Sequence, residues 1–200
     1  MRVLAIDTSG PACSLALFED GTLIAHRHDR IGRGHAEIII PWIAELPDGG
    51  RVDAILVGCG PGSFTGVRIG IAAARALALG WGATIAGMNS LALIAAAALS
   101  KDNLVVAIEG GHGEFFVQSF GCGLIAGPLV SLRPEAAAEA YGGALIVGSG
   151  AERLVAQRGS GRALCIDPDA ALSLHLPEGL RSLPPSPVYG RAPDAKPALS

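Results

Sequence analysis

At 200 residues, half of them hydrophobic and with a formal charge of −3, the chain can build one large domain or two small lobes, and it lacks the basic excess of a protein that grips many phosphates. Charged residues make up 16% of it and its only lysines are Lys101 and Lys196, against roughly 25% charge in ordinary soluble domains, so apolar surface is expected to await a partner and any nucleic acid to be held mostly by another subunit. The longest apolar stretches, 69–81 and 91–99, are broken by Arg75 or too short for a bilayer crossing of about 20 residues, and a start that reaches Asp7 within a strand's length differs from a signal peptide; a cytoplasmic protein without a membrane segment is expected.

In chain order, residues 2–7 alternate and carry Val, Leu and Ile, a strand pattern; Thr8-Ser9-Gly10-Pro11 reads as a turn and 13–18 as the returning strand. Glu19-Asp20-Gly21 closes a second hairpin onto a strand over 22–28. Gly32 and Gly34 mark a loop into an apolar helix over about 35–46, which Pro47-Asp48-Gly49-Gly50 ends. A short buried strand over 54–57 runs into the glycine-rich stretch 58–66, a helix follows to about residue 80, and a further strand and helix finish near residue 100. This order defines an α/β unit with a mixed sheet flanked by helices, the ribonuclease-H-like unit of actin-like proteins. Strands over 104–108 and 114–120 around Gly110-Gly111-His112-Gly113 open a more degenerate second lobe. The expected organisation is therefore two lobes, 1–100 and 101–182, followed by a proline-rich extended tail over 183–200.

The most specific segment is Gly60-Pro61-Gly62-Ser63-Phe64-Thr65-Gly66-Val67-Arg68-Ile69-Gly70, between a predicted strand and a predicted helix. It has no lysine for a Walker A loop. The third glycine of a dinucleotide fingerprint falls on Thr65, and Pro61 stands where a nucleophile elbow needs glycine. What remains is a tight turn whose glycines permit positive φ, with Ser63 or Thr65 placed to cap the helix; a structural loop and an anion-binding loop stay equally open. Asp7 with Thr8-Ser9 could face a phosphate, but an acid and a serine at a strand end more often make a turn through their own hydrogen bonds, the favoured reading. His26 and His28 share a strand face with nothing acidic or cysteinyl spaced to complete a site, so a solvated edge is expected. Cys13, Cys59, Cys122 and Cys165 show no metal-ligand spacing and are read as buried free thiols.

The eleven-residue run at 60–70 resembles the signature of the TsaB (YeaZ) family of tRNA threonylcarbamoyladenosine proteins. Ala5-Ile6-Asp7-Thr8-Ser9 is similar to that family's first strand and turn, His35-Ala36-Glu37 with Pro41 to its first helix, and Pro187-Val188-Tyr189-Gly190-Arg191-Ala192-Pro193-Asp194 to its Pro-x-Tyr-Leu-Arg segment, with Gly190 in place of leucine. The family's Asp-Ala-Arg hairpin is here Glu109-Gly110-Gly111-His112-Gly113-Glu114, so the acid survives and the arginine does not. The related catalytic subunit, TsaD, carries histidines four apart on one helical face; Ile39 stands four after His35, so no metal site is expected there.

The two central helices are apolar nearly all round, which requires burial on two sides; the residues alone leave a fully internal position open beside a partner interface. The resemblance implies docking on TsaD, with His35, Ile38, Ile39, Trp42, Gly70, Ala73, Ala74 and Leu77 in the interface and no catalytic residue on this chain. It further implies a TsaE-like small ATPase as partner, tRNA engaged indirectly through the complex, no intrinsic cofactor, and ATP and metal held by the partner subunits. A homodimer using the same helices stays open, as does an independent actin-fold enzyme, a small-molecule kinase or an M22-type metallopeptidase, resting on Asp7 and His35.

Overall fold

A computed structural model describes residues 1–98, 100, 102–141 and 145–190. The first half runs β1 (Arg2–Asp7), β2 (Ala12–Glu19), β3 (Thr22–Arg30), α1 (His35–Ala44), β4 (Ala54–Gly58), α2 (Phe64–Trp81), β5 (Thr84–Met88) and α3 (Ser90–Ala97). The second runs β6 (Leu104–Glu109), β7 (Phe115–Gly121), β8 (Ile125–Leu132), α4 (Pro134–Ala140), β9 (Leu145–Val147), α5 (Ala151–Arg158), β10 (Arg162–Leu164), a 3-10 turn over Ala170–His175 and the short α6 (Glu178–Arg181). The sheets repeat one plan: their orders are β3-β2-β1-β4-β5 and β10-β9-β6-β7-β8, with the hairpin strands antiparallel and the strands after the helices parallel. Two mixed sheets of this pattern, each flanked by helices, make the actin-like fold.

Because β1 is covered on both faces, its residues Val3, Leu4, Ala5 and Ile6 are all apolar rather than alternating with polar ones. Leu4 and Ile6 point to one side, where they pack with Ile39, Ile43, Val67 and Ile71 of α1 and α2. Val3 and Ala5 point to the other, into a core built from Leu91, Leu93 and Ile94 of α3 and from Val106 and Phe120 of the second sheet. A third cluster, with Phe115 and Val117 against Ala137 and Leu154, lies under α4 and α5. The sheets change over near residue 100, whereas the apolar core between them is continuous, because α3 and the turn Ala170–His175 serve both.

Two expectations are altered by packing. Cys13 and Cys59 are buried, and burial pushes the Cys13 thiol up to about 12; Cys122 and Cys165 instead lie exposed, at the turn after β7 and beyond β10. The first part of the expected tail is extended but docked. Leu183 bridges Gly87 at the sheet edge, the Val188 amide donates to the Cys59 carbonyl at 2.8 Å, and Arg75 donates to the Pro185 carbonyl at 2.8 Å. Arg191, Ala192, Pro193 and Asp194 of the carboxy-terminal motif, with Lys101 and Lys196, lie outside the described residues.

Candidate functional site

The signature loop sits between β4 and α2, pressed under the β1–β2 turn. Ser63 is the cap: its Oγ accepts the Gly66 amide at 3.2 Å, while Thr65 is exposed. Ser63→Ala is expected to lower stability by about 1 kcal/mol, read as a shifted urea midpoint at unchanged slope. Thr8 Oγ1 donates to the Gly66 carbonyl at 2.7 Å, and a Cβ at Gly66 or Gly70 would collide with the Thr8 carbonyl oxygen or hydroxyl. Close backbone approach is what demands glycine at these two positions, and no sequence signal announced it, since Thr8 lies 58 residues upstream of Gly66.

Asp7 lies at the floor of this junction, buried. Its Oδ1 accepts from the Ser9 amide at 2.8 Å and the Ser9 hydroxyl at 2.7 Å, and its Oδ2 from the Ser90 hydroxyl at 2.6 Å. Burial raises its pKa above the usual carboxylate range, opposed by the hydrogen bonds from Ser90 and Ser9. Beside it opens a cleft between the lobes of about 300 Å³, bordered by Ser9, Pro61, Gly62, Ser63, Glu109 and Asp167. The cleft lining includes two carboxylates and no lysine or arginine. Arg153 donates to Glu109 at 3.0 Å and Arg30 faces Asp167 at 3.3 Å, so these two arginines are engaged by the acids of the cleft. Glu109 therefore meets an arginine from α5, where the hairpin itself offers none. His35 is buried at the start of α1, its Nε2 donating to the Ala12 carbonyl at 3.3 Å.

The outward side of α1 and α2 is the most distinctive surface. Both helices lie on the same face of the first sheet and pack beside each other. Of the eight residues expected in an interface, His35, Ile39, Trp42, Gly70 and Ala74 are buried inside the lobe. They fall on the sheet-facing stripe. Ile38, Ala73 and Leu77 are partly exposed. The solvent side also carries Ile40 at 47% exposure, Leu79 at 87%, and exposed Ala72 and Ala76, with exposed Arg75 among them. The 3.6-residue stripe Val67, Gly70, Ile71, Ala74, Ala78 marks the buried side and could have been read from periodicity. At the start of α2, Arg68 stacks 3.3 Å over the Phe64 ring and donates to the Tyr189 hydroxyl at 2.7 Å. Phe64 is 66% exposed, so an aromatic and cationic cluster borders the apolar side.

The fold defines an actin-like two-lobed protein whose outer helices leave apolar side chains exposed. The family model described as TsaD, tRNA N6-adenosine threonylcarbamoyltransferase, matches residues 28–124. The chain is 41% identical over 124 residues to the TsaB protein of Escherichia coli K12, named for tRNA threonylcarbamoyladenosine biosynthesis, covering 58% of this chain and 53% of that one; it thus spans about half the length of such curated relatives. Over 212 aligned positions it is 34% identical to a protein of Mycobacterium tuberculosis H37Rv, covering 98% of this chain and 94% of that one. The solved structure of YeaZ from Pseudomonas aeruginosa superposes with a TM-score of 0.78 at 30% identity, covering 94% of this chain and 99% of that one. The chain belongs to the TsaB (YeaZ) family. Among the described residues no helix is long and apolar enough to cross a membrane.

Proposed function

We propose that this chain is a non-catalytic subunit in the formation of threonylcarbamoyladenosine on tRNA, docking through the outer side of α1 and α2 onto a TsaD-like transferase. Family membership supports the pathway. The observation that carries the subunit role is the exposed apolar side of α2, with Ala72, Ala76 and Leu79 turned to solvent on a helix whose other side is already packed. Burial of such surface contributes about 25 cal/mol per Å² of apolar area, and small residues let two helices approach closely.

Catalytic silence is supported by the fate of the two candidate groups. Asp7 has both carboxylate oxygens occupied by neutral donors of its own chain, and the His35 ring is committed to a backbone carbonyl. Transfer to the adenosine beside the anticodon would then take place on the partner. ATP and the metal of the reaction would reside on the TsaD-like and TsaE-like subunits, and tRNA would be engaged through the assembled complex in the cytoplasm. Light scattering of the chain alone and mixed with the cognate TsaD-like subunit tests this. A one-to-one heterodimer is the expected result; a self-dimer that excludes the second protein would overturn it.

A further inference from the structure

His26 and His28 lie two apart on β3, so their side chains leave the same face of an edge strand. The sequence reading found no acid to join them. The fold supplies one from the other end of the chain: Asp169, 143 residues beyond His26, sits with Oδ1 2.8 Å from His26 Nε2 and 4.0 Å from His28 Nδ1. Asp169 is the amino-terminal cap of the turn Ala170–His175, its Oδ1 accepting the Ala171 amide at 2.9 Å. Ser14, opposite His28 on β2, places its hydroxyl 3.1 Å from His28 Nδ1 and 3.3 Å from Asp169 Oδ1 while accepting the Ala170 amide at 2.9 Å.

Three ligand atoms, two imidazole nitrogens and a carboxylate oxygen, lie within 4.8 Å of one another. Imidazole nitrogen suits zinc, cobalt and nickel, and a carboxylate completes a three-ligand set that leaves a position for water. Ligands around zinc stand about 2.0–2.2 Å from the ion, so the cluster must contract by an ångström or so. The side chains can do this: His26, His28 and Asp169 retain 34%, 27% and 27% exposure, enough to rotate and to admit an ion. The neighbouring Ser14 hydroxyl and Ala171 amide hold the acid's position, as outer partners of ligating groups do.

We propose that His26, His28 and Asp169 bind one divalent transition ion of the zinc class, which clasps the edge strand β3 to the turn Ala170–His175. None of the three ligands lines the cleft, although Pro168 beside Asp169 does, and the site is independent of the subunit role proposed above.

Titrating the full chain with zinc by calorimetry, and with cobalt by visible absorption, tests it. One ion per chain is expected, with a thermal midpoint raised by zinc as for any ligand that binds the folded state alone. His26→Ala, His28→Ala and Asp169→Asn should each weaken binding at least about tenfold, and the double variant Cys122→Ser with Cys165→Ser should not. Asp169→Asn keeps an oxygen for the Ala171 amide, so it removes the charged ligand without removing the turn's cap. Absence of a zinc heat and a cobalt spectrum, or binding unchanged in the three ligand variants, would overturn the site.

Discussion

Ala76→Arg and Ile40→Glu should each weaken the complex with a TsaD-like subunit by at least about 100-fold while leaving the isolated chain folded. Both positions are exposed, so a charge there is solvated in the free protein; on docking it would be stripped of water with no counter-charge, which opposes binding by several kcal/mol. Ile39→Asp is the contrast. Ile39 is buried on the sheet-facing side of α1, packed with Leu4 and Ile6 of β1, and an unpaired charge there should unfold the lobe instead of acting on a partner. Calorimetry of binding and circular dichroism of the free variants separate the two effects. Normal affinity in folded Ala76→Arg would show that α2 does not form the docking side.

Asp7→Ala should lower stability by about 3 kcal/mol. It strands the Ser9 amide and hydroxyl and the Ser90 hydroxyl, all directed at the carboxylate in a buried setting, and an orphaned buried donor costs about 1–3 kcal/mol. Asp7→Asn keeps the shape and the Oδ1 acceptor and should lose less. The pH dependence has a definite sign. Burial raises the folded-state pKa of Asp7 above the ordinary carboxylate value, so between those two values the folded chain holds a proton that the unfolded chain has released. Its contribution is present in full below the ordinary value and is lost as pH rises through the raised one. Urea midpoints measured as a function of pH should therefore fall more steeply across that window for the native chain than for Asp7→Asn. Equal slopes would mean that Asp7 is no better protonated in the folded state. Folded Asp7→Asn should also leave tRNA modification by the complex unchanged, as a silent subunit requires.

Local signals made the first half legible. The Val, Leu and Ile content of 2–7, the turn at Thr8-Ser9 and the serine before α2 each act within a few residues, and the structure realises them as β1, its turn and the Ser63 cap. Long-range packing was not legible. The glycines at 66 and 70 answer to Thr8 across the fold. Asp169 reaches His26 only because the 3-10 turn comes back between the lobes, and the segment 183–190 is held by Gly87, Cys59 and Arg68 instead of trailing free. Burial of five of the eight expected interface residues has a different reason: α1 and α2 are apolar on both sides, so hydrophobicity alone could not tell the side packed on the sheet from the side left to solvent.

Detection of threonylcarbamoyladenosine by mass spectrometry, in unmodified tRNA incubated with the cognate TsaD-like subunit and its accessory factors, with and without this chain, tests the central claim most directly. Modification that requires the chain, and that is lost with folded Ala76→Arg, is the predicted result; product formed equally well in its absence would contradict it.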